Sequence, residues 1–318
     1  MRAARSLAIL LTVLVPAAAQ AQNPACAGYA PTTRRVCDAA VDGTRGLHPV
    51  AGLLVSGGNP VLGTASALGG LGHFAVTARA TAVDVVLPDV GYDGSGSSVP
   101  SSEQLFAPAP VVEVAAGIYG GMPSGLLSID FLASAQLLPT NQIDNLVVDQ
   151  GARRVGDVAL GLGYGARIGL LRENPALPAV SVSVMRRDIP ELAYGNLSGG
   201  DQYRYAVDLR ATNLRLVASK QLALLGLAGG LGWDKYTGDA VIQFRDQGSA
   251  NVEPAIPVEL GSSRTLAFVN AGLALSAVSL VGEAGYQFGK DEELTTDFED
   301  FDDTKGKFFA GLGLQLSF

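Results

Sequence analysis

Two kinds of side chain alternate along the last stretch of the chain, residues 307–318. One row is apolar along its whole length and consists of Phe308, Ala310, Leu312, Leu314, Leu316 and Phe318. The other row is small or polar apart from Phe309. Successive side chains of a strand point to opposite faces, so this period of two predicts a strand with one apolar face. That face would be buried in a soluble sheet, or would meet lipid in a membrane barrel.

The same alternation recurs upstream and predicts an all-β fold. Ten candidate strands cover 73–87, 110–120, 126–138, 155–171, 179–188, 202–218, 221–236, 263–275, 279–289 and 306–318. Each is long enough for a tilted membrane strand, which needs roughly 9–11 residues. We therefore expect a closed antiparallel transmembrane β-barrel of about ten strands, with both chain ends on the periplasmic side.

The connections between these strands alternate between short and long. Outer-membrane barrels have short periplasmic turns and long outer loops in this order. The long connection 237–262 contains the apolar stretch 240–244, which is either a loop hairpin or a further strand pair. The expected strand number therefore runs from about 8 to 12.

Two other folds compete with the barrel. Residues 266–282 carry no charge and are about long enough for one membrane helix. A lone helix, however, would leave the flanking alternating strands unexplained, since a sheet in lipid must close to pair its backbone. A soluble, secreted β-sandwich or barrel is the second alternative.

The chain starts with the pattern of a secretory signal peptide. Arg2 and Arg5 precede the apolar run 7–15, and Ala19-Gln20-Ala21 offers a cleavage site. We expect residues 1–21 to be removed and the mature chain to begin near residue 22. Lipidation at Cys26 is a weaker alternative, because the residues before it do not form a lipoprotein pattern.

The end of the chain resembles a known protein class. The terminal Phe318, with Leu316, Leu314 and Leu312 stepping back by two, resembles the C-terminal targeting strand of bacterial outer-membrane β-barrel proteins. The resemblance implies insertion by the outer-membrane barrel-assembly machinery, and a location in the outer membrane beside lipid and lipopolysaccharide. These four residues are the expected assembly signal.

Residues 22–72 differ in composition from the predicted barrel at 73–318. Cys26 and Cys37 are the only cysteines, and an even count in an exported chain predicts one disulfide. A short helix is predicted over 34–46. The uncharged, Gly-rich stretch 49–72 is predicted to pack inside the barrel mouth or to form a small plug, and the whole segment 22–72 to plug or cap the periplasmic mouth. Its Gly58-Asn59-Pro60 turn is similar to the Asn-Pro turn in the N-terminal hatch of the long-chain fatty-acid transporter family.

Composition restricts the partners. The net charge is −8 and no basic cluster occurs, so nucleic acid is not an expected partner. The mean hydropathy is positive, +0.27, and only 16% of residues are charged. Both values suit a barrel in which apolar residues alternate with small or polar ones.

Charged residues on the polar rows are the candidate lumen-lining positions. They are Arg79, Glu113, Asp130, Asp157, Arg167, Arg187, Arg204, Asp208, Arg210 and Glu283. A barrel of about ten strands has a narrow interior that side chains largely fill. These charges therefore form either a paired internal network or a constriction that selects small polar solutes.

Catalytic and metal-binding signals are weak. The chain has two histidines, His48 and His73, and no G-x-S-x-G or H-E-x-x-H motif, so an enzyme is not expected. The acidic connection 290–305 lacks EF-hand spacing, which favours a solvated loop. The alternative is that its carboxylates bridge weakly to lipopolysaccharide through divalent cations. No metal or cofactor is expected.

Two functions remain after these exclusions. The first is passive transport of small or hydrophobic solutes through the barrel. The second is a structural or adhesion barrel with acidic surface loops and no transport activity, which a solidly filled lumen would favour.

Overall fold

The strands of the chain form one closed sheet. The computed structural model describes residues 23–123, 126–139, 146–148, 154–155 and 158–318. Within them, ten long strands form an antiparallel barrel, because the first strand pairs with both the second and the last. In chain order they are β1 Phe74–Pro88, β2 Ser101–Tyr119, β3 Ser128–Pro139, β4 Val158–Leu171, β5 Ala179–Tyr194, β6 Tyr203–Leu222, β7 Leu225–Phe244, β8 Ile256–Leu275, β9 Val278–Gln287 and β10 Lys307–Ser317. Two short segments, Leu146–Val148 and Arg154–Val155, pair with β5 and β4.

The predicted strands are confirmed, and several are longer than expected. Strand β2 begins at Ser101, and β7 and β8 extend to Phe244 and from Ile256. The apolar stretch 240–244 continues β7 and pairs with β6, so it is not a hairpin of its own. The membrane-helix alternative for 266–282 is wrong, because this run forms the end of β8, a turn and the start of β9. Among the described helices, none has the length and apolarity to cross a bilayer.

Short and long connections lie at opposite ends of the barrel. The short ones include 172–178, 223–224 and 276–277, and we call their side the turn end. At the other side, the loop end, are the described connections 89–100, 195–202, 245–255 and 288–306. The alternation that the sequence predicts is therefore confirmed for these connections.

An apolar belt surrounds the outside of the barrel near the turn end. On β7 the outward side chains from Leu225 to Trp233 are exposed and apolar. About nine residues at ~3.3 Å each and a ~40° tilt give a height of roughly 23 Å, close to the apolar band of membrane barrels. Nearer the loop end the outward positions of β7 and β8 become polar, as at Lys235, Asp239 and Glu259. The barrel therefore extends beyond its apolar belt on the loop side.

One helix, α1, occupies the lumen. It spans Pro31–Ser56, far more than the predicted 34–46, and passes through Gly43, Gly46 and Pro49. Apolar residues are buried on all its faces, because barrel wall and loops surround it. Its fit is close: a Cβ added at Gly52 would lie 2.5 Å from the Tyr236 ring. The tertiary surroundings thus extend a helix that its Gly residues and Pro49 would otherwise shorten.

The direction of α1 corrects one expectation. Its first turns contact the loop end, where Thr33 donates a hydrogen bond to Asp246 and Arg35 donates one to the Gly94 carbonyl. The predicted disulfide between Cys26 and Cys37 is formed there. The segment before α1 therefore lies at the loop end and does not cap the turn end, as a 26-residue helix spans about 39 Å. Residues 57–72 continue to the turn end, where β1 starts.

Candidate functional site: the plugged lumen

We call residues 31–72, which fill the barrel interior, the plug. It turns at 56–59, where α1 ends and Gly57 takes a positive φ of +57°. Peptide groups at a helix end lack partners within the helix, so a buried helix end needs external donors and acceptors. Here the barrel wall supplies them.

Two arginines of the wall donate to carbonyls of this turn. Arg215 on β6 donates to Gly57 O at 2.8 Å and to Gly58 O at 2.7 Å. Arg79 on β1 donates to Ser56 O at 3.3 Å and to Asn59 O at 3.0 Å. Guanidinium groups suit this task because one planar group presents several fixed donors. The carbonyl of Ser56, at the end of α1, and those of the three residues after it are thus satisfied from two sides.

A carboxylate of the wall binds the opposite groups of the same turn. Glu283 on β9 accepts from the backbone N–H of Gly58 at 3.0 Å and from that of Asn59 at 2.8 Å. The Asn59 amide donates to Asn270 on β8 at 3.1 Å. The Gly58-Asn59-Pro60 signal in the sequence is therefore the point where the plug is fastened.

The charges around the turn are paired with one another. Arg79 lies 3.2 Å from Glu113 and 3.4 Å from Glu283. Arg187 lies 2.9 Å from Glu113, and Arg215 lies 2.5 Å from Asp234. We call these side chains the clamp: Arg79, Glu113, Arg187, Arg215, Asp234 and Glu283. Three cations face three anions, all buried, so the clamp is neutral and each charge has a partner.

A separate pair holds the plug nearer the turn end. Arg167 on β4 donates two hydrogen bonds to Asp130 on β3, at 2.9 and 2.7 Å. Asp130 also accepts from the backbone N–H of Leu68 at 3.2 Å. The Gly-rich stretch 57–72 is therefore bound by the wall at both of its ends.

The structure divides the predicted lumen-lining residues into three groups. Six are buried and face the interior: Arg79, Glu113, Asp130, Arg167, Arg187 and Glu283. Asp157 lies outside the described residues. Arg204, Asp208 and Arg210 point outward on β6, and Arg210 and Asp208 pair on that face at 3.1 Å.

The prediction that Arg204, Asp208 and Arg210 line the lumen is wrong for a physical reason. Tyr203, Tyr205 and Leu209 are the inward residues near the loop end, where they pack towards the apolar plug. The outer face at this height lies beyond the apolar belt and is charged. Within the belt the pattern inverts: Leu214 and Leu216 are outward, while Asn213 and Arg215 are buried.

Sequence reasoning missed three residues around the turn at 56–59, two that bind it and one, Asp234, that pairs with Arg215. Arg215, Asp234 and Asn270 were not singled out, although each is buried in the lumen. A usable signal existed, because the apolar row of β6 changes from odd to even positions between Ala211 and Leu214. That change of phase marks the height at which the strand enters the apolar belt.

Long loops pack onto the outer half of the plug. The buried Asp42 of α1 accepts hydrogen bonds at 2.8 Å from the backbone N–H groups of Thr295 and Thr296. Hydrogen bonds from Thr33 and then Ser249 lower the pKa of Asp246 to about 2. The helix thus organises two loops at the loop end.

The acidic connection 290–305 is partly neutralised by one arginine of the barrel and by its own Lys305. Glu292 lies 2.8 Å from Arg264 of β8, and Asp302 lies 3.2 Å from Lys305. Across the described part of the chain, no group of three or more His, Cys, Asp or Glu side chains is arranged to hold a metal ion.

Among the described residues, two sizeable cavities lie beside the plug. One of about 480 Å³ opens at the loop end between the first turns of α1 and the loops, lined by Arg35, Asp38 and Asp297 among others. The other, of about 140 Å³, lies between α1 and the wall and is almost wholly apolar.

Comparisons with known proteins concern only the fold. No family model matches the chain, and none of the curated proteins matches it. Among solved structures, it is similar to the translocator domain of the autotransporter NalP from Neisseria meningitidis, with 12% identity, 91% of this chain, 99% of that chain and a TM-score of 0.37. The outer-membrane protease OmpT from Escherichia coli matches with 11% identity, 77% of this chain, 96% of that chain and a TM-score of 0.37. The N-terminal β-barrel domain of Pseudomonas aeruginosa OprF matches with 10% identity, 78% and 99% coverage and a TM-score of 0.27.

Proposed function

We propose that the chain is an exported outer-membrane β-barrel that is closed to polar solutes and acts at the cell surface. The observation that carries this proposal is the plug, held by a neutral, fully paired clamp. A conducting pore needs a water-filled path, whereas the described lumen holds a helix and buried ion pairs.

The apolar belt supports a membrane location. Outward side chains such as Leu231, Val269 and Leu312 are about 60% exposed, which is unfavourable in water and favourable in lipid. Lipid and lipopolysaccharide are then the surroundings of the belt and of the charged outer face above it. The C-terminal strand with its outward Leu312, Leu314, Leu316 and Phe318 is the proposed signal for the assembly machinery.

The loop end is the proposed functional surface. In outer-membrane barrels the long loops face the cell exterior. At this end, residues 23–30 and α1 pack against the acidic loops. These parts therefore form one fixed surface rather than a set of independent loops. A structural or adhesion role therefore fits better than a channel for polar solutes.

Planar-bilayer conductance tests the closed state. We expect the intact protein to show no steady current, and a variant lacking residues 23–72 to conduct, because removal of the plug vacates a space about as wide as a helix, ~10 Å. The variant Arg210→Met, altered only on the outer face, is the matched control and should stay closed. A steady current through the intact barrel would contradict the proposal.

Passive transport of small apolar solutes is the second candidate. The cavity of about 140 Å³ between α1 and the wall favours it. Uptake of a small aromatic compound into proteoliposomes, compared with protein-free liposomes, tests this role independently of ionic conductance.

A further inference from the structure

Three cations lie close together on the outer face of the barrel, just beyond the apolar belt. On β5, β6 and β7 the belt ends on the loop side with Val184, Leu214 and Trp233, which are exposed and lie directly opposite one another. The next two cross-strand rows towards the loop end contain the cations Arg186, Arg210 and Lys235. We call these three side chains the basic patch.

The strand register holds the basic patch together. Thr212 on β6 opposes Arg186 on one side and Lys235 on the other. Arg210 is two residues from Thr212 on the same face, so it is a diagonal neighbour of both other cations. Neighbouring strands are ~4.8 Å apart and diagonal neighbours ~7–8 Å apart, so these long side chains can reach one common anion. Without such an anion, cations this close repel one another.

The carboxylates on this face lie farther from the belt than the cations. The pair Arg186–Asp188 at 3.6 Å and the pair Arg210–Asp208 at 3.1 Å are both solvent-exposed, so each contributes little. In both pairs the acid is two residues nearer the loop end. Within the described part of the chain, no carboxylate forms an ion pair with Lys235. Positive charge therefore borders the belt, and negative charge lies beyond it.

Aromatic side chains mark the same height independently of the charges. Trp233 is 41% exposed and lies two residues before Lys235 on the same face of β7. Tyr164 on β4 is 57% exposed and lies directly opposite Arg186. Exposed Trp and Tyr side chains of membrane proteins are enriched where the lipid headgroups begin. The basic patch therefore lies at headgroup level, on the side of the long loops.

We propose that the basic patch binds the phosphate groups of lipid A, the phosphorylated lipid part of lipopolysaccharide, while its acyl chains lie on the apolar belt. The proposal rests on the proposed outer-membrane location, in which the long loops and this edge of the belt face the exterior. Guanidinium groups bind phosphate oxygens through two parallel hydrogen bonds, and an ammonium group adds a point charge. The carboxylates beyond the patch repel a phosphate placed higher, which fixes the depth of the lipid.

The experiment measures binding of lipid A to the full mature chain in a non-ionic detergent by native mass spectrometry. A chelator is present, so that the acidic loops cannot hold phosphate through divalent cations. We expect saturable binding of lipid A and roughly tenfold weaker binding of dephosphorylated lipid A. Arg186→Gln combined with Lys235→Gln should weaken lipid A binding roughly tenfold to thirtyfold, since two cations are lost at an anionic headgroup.

Two single variants test the position of the site. Arg204→Gln removes a charge from the same face of β6, but six residues beyond Arg210, which is roughly 20 Å farther along the strand. Lipid A binding to this control should stay within about twofold of that to the intact protein. Asp188→Asn frees Arg186 from its partner and should strengthen lipid A binding roughly twofold to fivefold.

Other outcomes overturn the site. Undiminished binding in the double variant, an equal loss in Arg204→Gln, or equally tight binding of dephosphorylated lipid A would show that the phosphates do not meet the basic patch. Phosphatidylglycerol that binds as tightly as lipid A would contradict the choice of lipid. The shift in gel migration on heating confirms that each variant is folded. Failure to bind by a folded barrel that passes no current would contradict the lipid site alone and leave the closed state in place.

Discussion

Arg215 on the barrel wall donates a hydrogen bond to the carbonyl of Gly57 at 2.8 Å, at the point where the plug helix ends. The same guanidinium pairs with Asp234, and both side chains are almost completely buried. Arg215 therefore both satisfies a carbonyl at the end of the helix and neutralises a buried carboxylate in the lumen. The arrangement joins the plug to the barrel, so that each stabilises the other.

Replacing Arg215 by Met should destabilise the barrel strongly. The change leaves Asp234 as an uncompensated buried charge and removes donors from two plug carbonyls, a loss of about 3–5 kcal/mol. Unfolding in urea, followed by the shift in gel migration between folded and unfolded forms, measures it. Arg210→Met is the matched control, because its outward, half-exposed pair with Asp208 should contribute less than about 1 kcal/mol. Equal stability of the two variants would contradict the clamp.

The segment before α1 should be accessible from outside the cell. Residues 23–30 lie at the loop end, and long loops of such barrels face the exterior. An epitope inserted before Asn23 should bind antibody on intact cells. The same epitope inserted in the turn at 223–224 should bind only after the outer membrane is permeabilised. The reverse pattern would show that the plug enters from the periplasmic side.

Removing the disulfide should loosen the N-terminal segment without opening the barrel. Cys26 and Cys37 enclose a short loop with a sequence separation of 11, so its closure contributes about 3 kcal/mol or less. In the Cys26→Ala, Cys37→Ala variant we expect faster tryptic cleavage after Arg34 or Arg35, detected by mass spectrometry. The urea midpoint of the barrel should stay close to that of the intact protein. A fall as large as that of Arg215→Met would mean that the disulfide supports the whole plug.

The contact between α1 and loop 245–255 should depend on pH in the acid range. The folded pKa of Asp246 is lowered to about 2, first by the hydrogen bond from Thr33. A depressed carboxyl pKa means that the contact contributes fully above the unfolded value near 4 and is lost as pH falls towards 2. Thr33→Val should raise the pKa of Asp246, measured by carboxyl ¹³C NMR titration. An unchanged titration in Thr33→Val would contradict this contact.

The sequence predicted the barrel well because alternation is a local property. Strand β10 shows this most clearly: its apolar row faces outward, and Phe309 and Gln315 face inward. Six of the proposed interior charges also lie in the lumen, since a charge flanked by outward apolar residues within the belt has only one other side to face.

The plug and the outer half of β6 were harder to predict. The prediction of a helix over 34–46 assumed that Gly43 or Gly46 lies near the end of the helix, as it would in water. The barrel wall surrounds this segment and supplies apolar contacts on every face, so the helix continues to Ser56. On β6, the sequence analysis assigned Arg204, Asp208 and Arg210 to the lumen, whereas Tyr203 and Tyr205 are the residues that face it.

By itself, the sequence determined that two unlike faces alternate along about ten strands, that short and long connections follow one another between them, and that two cysteines are present to form one disulfide. Only the tertiary structure decided which environment each face meets and in which direction α1 crosses the lumen. The physical reason is that alternation records a difference between the two sides of a strand, not the identity of either side. Within the belt, apolar side chains face outward and charged side chains face inward. Near the loop end the lumen holds an apolar helix and the exterior is charged, so this orientation is reversed there.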